Sequence, residues 1–141
     1  MCGIIGIVSK EKISKNDLWS ITKDAERRGV DSSGILFNSD KDIYLKRSNK
    51  ALTKLIKASN FDKTNFIIGH SRLITNSATE NQPVKRKSIY VIHNGIIVNH
   101  KEIWAKINLE PSFKIDTEAI AGVVERSLIT SKNSTDEFFI K

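Results

Sequence analysis

The second residue of the chain is its only cysteine. Removal of Met1, which is expected before a small residue, would leave Cys2 with a thiol and a free α-amine. The unperturbed pKa is about 7.7 to 8.0 for an α-amine and about 8.5 for a thiol, so near neutral pH the amine can take the thiol proton. Cys2 is therefore a candidate nucleophile that carries its own base. The alternative is an ordinary small buried residue, as free cysteines often are.

Two charged residues could bind the two charges of a free amino acid. Arg72 lies at the end of a predicted strand, and a guanidinium holds a carboxylate through paired hydrogen bonds. Asp116 opens a predicted helix, where its carboxylate could accept from an ammonium group. The respective alternatives are a surface ion pair and an ordinary helix N-cap.

Asn94-Gly95 follows a predicted buried strand and admits two interpretations. Asn-Gly is a strong signal for a hairpin turn. The same pair could form an oxyanion hole, in which the Asn94 side-chain amide and the Gly95 backbone N–H donate to a carbonyl oxygen under attack. The two interpretations are compatible, because glycine lets the backbone come close to a substrate.

The composition of the chain excludes several classes of protein. Its 141 residues, 39% hydrophobic and 28% charged, suit one soluble globular domain. A single cysteine cannot form an internal disulfide, which predicts a cytoplasmic protein. No apolar run approaches the roughly 18 residues of a membrane-spanning helix, and no signal peptide is expected. The three histidines and the cysteine lack metal-ligand spacing, so no metal is expected.

The net charge of +7, from 23 Lys and Arg against 16 Asp and Glu, could attract nucleic acid. The lysines are scattered, however, and the only tight basic cluster is 85–87, which is expected to be a turn before a strand. No nucleic-acid-binding motif is present. Neither a nucleic acid nor a membrane is therefore expected as a partner.

Strands and helices alternate along the chain. The β-branched run 3–8 is typical of a strand buried on both faces. Helical spacing over 15–28 begins behind Asn16-Asp17, a candidate N-cap, and Asn99 with Glu102 has the spacing of a capping box. Hairpin-like pairs outnumber βαβ units, which favours an α+β layered sandwich. The other predicted elements are a turn-rich loop at 29–34, a hairpin of 35–37 and 43–47 with its turn at 38–40, a helix at 51–57, buried strands at 65–70 and 88–93 around a polar loop at 75–87, and a helix from Asp116 with Ile120, Val123, Val124 and Leu128 on one stripe.

Four segments of the chain, taken in order, form a set of motifs. They are Met1-Cys2-Gly3-Ile4-Ile5-Gly6, Arg28-Gly29-x-Asp31-Ser32-x-Gly34, His93-Asn94-Gly95-Ile96-Ile97-x-Asn99-His100 and Asp116-Thr117-Glu118-x-Ile120-Ala121. The set closely resembles the class II glutamine amidotransferases, whose glutaminase domains have an N-terminal nucleophile, and most of all the glucosamine-6-phosphate synthase subfamily. The match covers residues 2 to about 128. The resemblance implies a four-layer α/β/β/α sandwich of the N-terminal-nucleophile hydrolase type.

The resemblance also implies roles for individual residues. Cys2 matches the family's nucleophile, and its α-amine matches the general base. Asn94 and Gly95 match the oxyanion hole. The other matches are Arg72 for the α-carboxylate of glutamine, Asp116 for its α-ammonium group, Thr75 for a further substrate contact, and Arg28 with Gly29 for a supporting loop beside the nucleophile.

The reaction that the resemblance implies uses L-glutamine. The Cys2 thiolate attacks the side-chain amide, ammonia leaves, and water hydrolyses the γ-glutamyl thioester to glutamate. No metal or organic cofactor is needed. The ammonia passes to an acceptor, with a sugar phosphate favoured, on a synthase domain or chain that this sequence does not include.

Two departures from the family pattern leave alternatives open. The family's Arg-Trp-Ala-Thr-His reads Arg-Leu-Ile-Thr-Asn at 72–76, and residues 80–84 favour the Gln-Pro pattern of phosphoribosyl-pyrophosphate amidotransferase and asparagine synthetase. The family's glutaminase domain also continues for several more strands, so residues 1–141 are expected to be an incomplete glutaminase domain, truncated at the C-terminus and lacking its synthase domain. A non-catalytic domain that binds glutamine or a partner is the rival interpretation. An unfinished sheet edge would predict association, for example as a homo-oligomer, or aggregation.

Overall fold

A computed structural model of the chain describes residues 2–73 and 81–133. These residues divide into two compact units: the first unit comprises 2–73, 81–83 and 92–94, and the second unit comprises 84–91 and 95–133. The elements of the described chain are β1 (Gly3–Val8), α1 (Lys15–Glu26), β2 (Ser32–Ser39), β3 (Asp42–Ser48), α2 (Leu52–Lys57), β4 (Phe66–Arg72), β5 (Val84–Arg86), β6 (Ile89–Val91), α3 (His100–Ile107) and α4 (Glu118–Asn133).

The first unit is built on an antiparallel sheet of four strands in the order β1-β4-β2-β3. Gly3 of β1 pairs with Ser71 of β4, and Gly34 of β2 pairs with His70 of β4. The predicted hairpin is confirmed as β2 and β3. Strand β4 lies between β1 and β2, so both of its edges are hydrogen-bonded.

The core of the first unit lies between one face of this sheet and the helices α1 and α2. Ile5, Ile35 and Ile67, one from each of three strands, are at most 4% exposed. Gly3 allows α1 to pack closely on β1, because a Cβ added there would lie 2.2 Å from the backbone oxygen of Ala25. The residue after Cys2 must therefore be glycine for the helix to keep this position.

Strand β1 is buried on one face, and the prediction that both faces are buried is wrong. Ile4 is 46% exposed and Val8 is 81% exposed, whereas Ile5 between them is 4% exposed. Successive side chains of a strand point to opposite faces, so an apolar run alone does not show that both faces are covered.

Two element boundaries in the first unit also differ from the predictions. The N-cap of α1 is Ser14, whose Oγ accepts from the backbone N–H groups of Asn16 and Asp17, and the helix ends at Glu26. Strand β2 begins at Ser32, inside the predicted turn-rich loop, because its first residues pair with β4. Pairing with a neighbouring strand overrides the local preference of serine and glycine for turns.

The second unit contains the β5–β6 hairpin and the helices α3 and α4. Val84 pairs with Val91, and Lys87 in the turn has a φ of 52°. The predicted strand 88–93 is therefore shorter than expected, and its partner β5 lies inside the predicted loop 75–87. The basic cluster 85–87 is divided between the end of β5 and the turn.

Arg86 lies at the centre of a buried ion cluster in the second unit. Its Nη1 lies 2.8 Å from Oε1 of Glu118, and its Nε contacts a carboxylate oxygen of Glu125. The Arg86 side chain is 12% exposed and that of Glu118 is fully buried. The guanidinium also lies over the Trp104 ring, 5.0 Å from its centroid. Hydrogen bonds from Lys87 and Arg86 hold the pKa of Glu125 below its usual value.

Two predictions for the helices of the second unit are wrong. Asn99 precedes α3, but its side chain makes no capping hydrogen bond, so the capping box does not form. On the predicted stripe of α4, Val123, Val124 and Leu128 are 42%, 40% and 50% exposed in the described chain. The buried positions of α4 are instead Glu118, Ala119, Ala121, Gly122 and Glu125.

Replacing Arg86 with methionine should lower the free energy of unfolding by about 3 kcal/mol, because Glu118 would keep a buried charge without its cationic partner. Urea titration followed by circular dichroism measures the change. The matched control is Lys101→Met on the exposed surface of α3, which should change the free energy of unfolding by less than about 0.5 kcal/mol. An effect of Arg86→Met as small as that of the control would contradict the role of the cluster.

Candidate active site

Cys2 and Asn94 are in contact in the first unit. The backbone nitrogen of Cys2 donates to Oδ1 of Asn94 at 3.4 Å, which is a long hydrogen bond. Cys2 is half-buried and directly precedes β1, whereas Asn94 is exposed. An amide that accepts through its oxygen keeps its nitrogen as a donor. The contact therefore leaves Nδ2 of Asn94 able to donate to a developing oxyanion close to the residue that would create it.

Arg72 lies at the same end of the sheet as Cys2. Gly3 and Ser71 form a pair in the β1–β4 ladder, and Cys2 and Arg72 each come one residue beyond that pair on adjacent strands. Arg72 is half-buried and pairs on its other side with Ser32 of β2. The antiparallel register thus brings the backbones of the candidate nucleophile and the candidate carboxylate-binding residue next to each other.

The loop at 29–31 supports the backbone at Arg72. The N–H group of Asp31 donates to the carbonyl oxygen of Arg72 at 3.0 Å. A Cβ added to Gly29 would lie 2.3 Å from the backbone nitrogen of Leu73, so only glycine allows the loop to lie this close to the strand end. Arg28, by contrast, has an exposed side chain. The predicted supporting loop therefore packs through Gly29 against the strand end that carries Arg72.

Two histidines of the first unit have ring nitrogens without hydrogen bonds. Within 2–73 and 81–133, neither ring nitrogen of the fully buried His70 has a partner, and Nδ1 of His93 has none. Burial, together with the charges of Arg72 and His93, lowers the pKa of His70 to about 4. His70 is thus neutral near pH 7. The sequence assigns no role to either ring, and the described residues contain no cluster that could hold a metal.

Gly95 and Asp116 belong to the second unit. Asp116 is half-buried, and its carboxylate accepts from the N–H group of Ile97 at 2.6 Å and from that of Thr117 at 2.9 Å. Helix α4 begins two residues later. Asp116 therefore connects the segment that follows Gly95 to the start of α4.

Asn94-Gly95 is not a hairpin turn, and that interpretation of the pair is wrong. The favoured two-residue Asn-Gly turn needs a positive φ at both residues, and neither Asn94 nor Gly95 has one. The β5–β6 hairpin closes instead at Lys87 and Ser88. The oxyanion-hole interpretation stays a prediction for this segment.

The structure thus distributes the predicted site residues unevenly. Thr75 lies outside the described residues. Gly95 and Asp116 lie in the second unit, and the predicted residues that the first unit contains are Cys2, Arg28, Gly29, Arg72 and Asn94.

Among the helices that the structure describes, none is long and apolar enough to cross a membrane.

Comparison with known proteins identifies the family, although no protein-family model matches the chain. The chain is 39% identical to the glutamine–fructose-6-phosphate aminotransferase of Methanococcus maripaludis, over 99% of this chain and 25% of that protein. It is 32% identical to the enzyme of the same name from Pyrococcus horikoshii, over 98% and 25% of the two chains. A structure of glutamine phosphoribosylpyrophosphate amidotransferase from B. subtilis, complexed with ADP and GMP, matches with a TM-score of 0.67 and 22% identity, over 89% of this chain and 29% of that one. The chain belongs to the class II glutamine amidotransferases.

Membership of this family confirms the resemblance found in the motifs, and the TM-score confirms the predicted fold class. The chain spans about a quarter of the length of the two curated relatives. Gln82 belongs to the Gln-Pro pattern of the sequence, but the sequence predicts no role for it in the site region. Its side-chain oxygen accepts from the backbone N–H of His93, next to Asn94.

The free energy of unfolding should fall as the pH is lowered from about 6.5 toward 4. The folded pKa of His70 is about 4, below the value of about 6.5 for an unfolded histidine, so in this window the unfolded chain binds a proton that the folded chain does not. The contribution of His70 is complete above about pH 6.5 and is lost by about 1.4 kcal/mol per pH unit below it.

Urea titrations of the wild type and of His70→Gln at pH 7 and pH 5 measure this contribution. The wild type should lose about 2 kcal/mol more than the variant between the two pH values, because glutamine does not titrate. Equal losses in the two proteins would show that His70 is not buried as a neutral group.

Proposed function

We propose that the chain is the glutaminase part of a glutamine-dependent amidotransferase and hydrolyses the side-chain amide of L-glutamine. The observation that carries the proposal is the contact between Cys2 and Asn94, at the strand end that also bears Arg72. A nucleophile, an oxyanion donor and a carboxylate-binding cation are the groups that acyl transfer from a free amino acid requires. Residues 1–141 are, on this proposal, part of a single glutaminase domain.

The reaction begins at Cys2 after removal of Met1. The α-amine of Cys2 takes the thiol proton, and the thiolate attacks the side-chain carbonyl carbon of glutamine. Nδ2 of Asn94 and the N–H group of Gly95 stabilise the oxyanion of the tetrahedral intermediate. The C–N bond then breaks as the α-ammonium group gives its proton to the leaving ammonia, and a thioester remains. Water activated by the same amine hydrolyses the thioester to glutamate and regenerates the thiol.

Arg72 and Asp116 select a free amino acid as the substrate. The guanidinium of Arg72 binds the α-carboxylate through paired hydrogen bonds, and the carboxylate of Asp116 accepts from the α-ammonium group. A glutamine side chain within a peptide offers neither charge, so it would lose both of these charge-assisted contacts, at a cost of about 1.5 to 3 kcal/mol each. Thr75 adds a further substrate contact in the family pattern. Gly29 supports the site indirectly, by packing against the end of β4 that carries Arg72. Arg28 belongs to the same supporting loop.

A sugar phosphate is the acceptor of the ammonia in this proposal. The curated relatives named above are fructose-6-phosphate aminotransferases at 32% and 39% identity, whereas the phosphoribosylpyrophosphate enzyme is 22% identical. Because the chain corresponds to about a quarter of those relatives, the acceptor would bind to a separate domain or chain. The glutaminase half-reaction needs no metal or organic cofactor, since proton transfer and oxyanion stabilisation are supplied by Cys2, Asn94 and Gly95.

Glutamate release from L-glutamine tests the proposal. The wild type should release glutamate, Cys2→Ala should release none above background, and Asn94→Ala should lower kcat by about 10² to 10³, the usual cost of removing one oxyanion donor. The matched control is Asn99→Ala, in the same segment, because the Asn99 side chain makes no capping hydrogen bond. A wild type that releases no glutamate, or a Cys2→Ala variant that retains activity, would refute the proposal.

A further inference from the structure

The segment Asn81–Pro83 is fixed against the sheet of the first unit. Nδ2 of Asn81 donates to the carbonyl oxygens of Ser33 and Ser48, at 2.7 and 3.2 Å. The segment packs closely on β2 at Gly34, which has no side chain. A Cβ added to Gly34 would lie 1.8 Å from the carbonyl oxygen of Gln82. Backbone and side-chain contacts therefore attach Gln82 to two strands of the sheet.

The groups on either side of Gln82 restrict it further. The N–H group of Gln82 donates to Oδ1 of Asn81 at 2.8 Å. Arg47 of β3 donates from Nε and Nη2 to the carbonyl oxygen of Pro83, at 2.9 and 2.6 Å. These contacts hold the backbone of Gln82 in place. Gln82 itself is only 6% exposed.

The side chain of Gln82 holds the segment that carries Asn94. Strand β6 ends at Val91, so His93 and Asn94 lie beyond the β5–β6 ladder. Oε1 of Gln82 accepts from the backbone N–H group of His93 at 2.5 Å. This bond lies one residue before Asn94, whose Oδ1 accepts from the nitrogen of Cys2.

We propose that Gln82 is a positioning residue for Asn94. By accepting from the His93 N–H group, Gln82 fixes the backbone at residues 93 and 94, and this backbone sets the position of the Asn94 side chain, whose Nδ2 donates to the oxyanion. The inference rests on the proposed glutaminase function and adds a residue to it. Gln82 touches neither the thiol nor the substrate in this scheme. Its effect on the rate passes through Asn94, and an oxyanion donor must keep its position to within a fraction of an ångström to be effective.

The test compares Gln82→Met with Gln82→Glu, in the wild type and in an Asn94→Ala background. Methionine is close to glutamine in volume and lacks the acceptor, whereas a glutamate side chain keeps an oxygen that accepts from the N–H group of His93. Gln82→Met should lower kcat for glutamine hydrolysis by about 10- to 100-fold and change KM by less than about threefold. Gln82→Glu should retain most of the wild-type kcat.

In the Asn94→Ala background, Gln82→Met should lower kcat by less than about twofold, because the group that Gln82 positions is already absent. A merely structural role would instead lower kcat by the same factor in both backgrounds. Hydrogen exchange gives a readout that does not depend on activity: the His93 amide should be protected in the wild type and in Gln82→Glu, and should exchange at least about tenfold faster in Gln82→Met.

The outcomes separate the two proposals. An active wild type in which Gln82→Met keeps its kcat, or loses it equally in both backgrounds, would overturn the positioning role and leave the glutaminase function intact. An unprotected His93 amide in the wild type would also overturn it, and this result does not require that Gln82→Met folds. An inactive wild type would overturn the glutaminase function, and the positioning role with it.

Discussion

The antiparallel pairing of β1 with β4 is the constraint on which the candidate site depends. In this pairing Gly3 lies opposite Ser71. A shift of the register by one residue would move every side chain of β1 to the opposite face. Cys2 and Arg72 are adjacent only because each extends this ladder by one residue at the same end. Gly3 and Ile5 secure the register on the same, helix-facing side of β1. Ile5 is buried in the core, and at Gly3 the backbone of Ala25 leaves no space for a side chain.

Buried polar groups then give this strand end its electrostatic character. His70 lies two residues before Arg72 on the same strand, and its burial keeps the imidazole neutral. A charged imidazole there would repel the guanidinium, so the low pKa of His70 leaves Arg72 as the positive group of the two. Asn81 supplies a polar partner where the β2–β3 ladder ends, and Gln82 supplies one for the backbone of His93. Hydrogen bonds from side chains to the backbone thus add to apolar packing in the site region.

The sequence alone predicted those features that local pattern and motif spacing encode. The apolar runs located β1 and β4, and the motif order led to the family, because residue types and their order are read directly from the sequence. Burial on one face of β1 was not predictable, since it depends on which layers cover the sheet. Strand β5 was missed because, within 2–73 and 81–133, its three residues pair only with β6, and the sequence 85–87 alone is typical of a solvated turn.

The roles of Gly29 and Gln82 were accessible only in part. The motif included Gly29, but its packing against the backbone at Leu73 required the fold. Gln82 belongs to no local pattern that predicts its contact, because its partner His93 lies eleven residues away on another segment. Long-range hydrogen bonds between side chain and backbone leave no periodic signal, which is why the sequence indicates candidate reacting groups but not the contact of Gln82 with His93.

In the proposed mechanism, Cys2 with a free α-amine is the nucleophile that captures glutamine. The most direct measurement is the intact mass of the purified protein before and after incubation with a glutamine-analogue diazoketone, with Cys2→Ala as the control. We expect a chain without Met1 and a single covalent adduct, which L-glutamine competes away and which Cys2→Ala does not form. A folded protein that has lost Met1 and still forms no adduct, or an adduct that persists in Cys2→Ala, would contradict this mechanism.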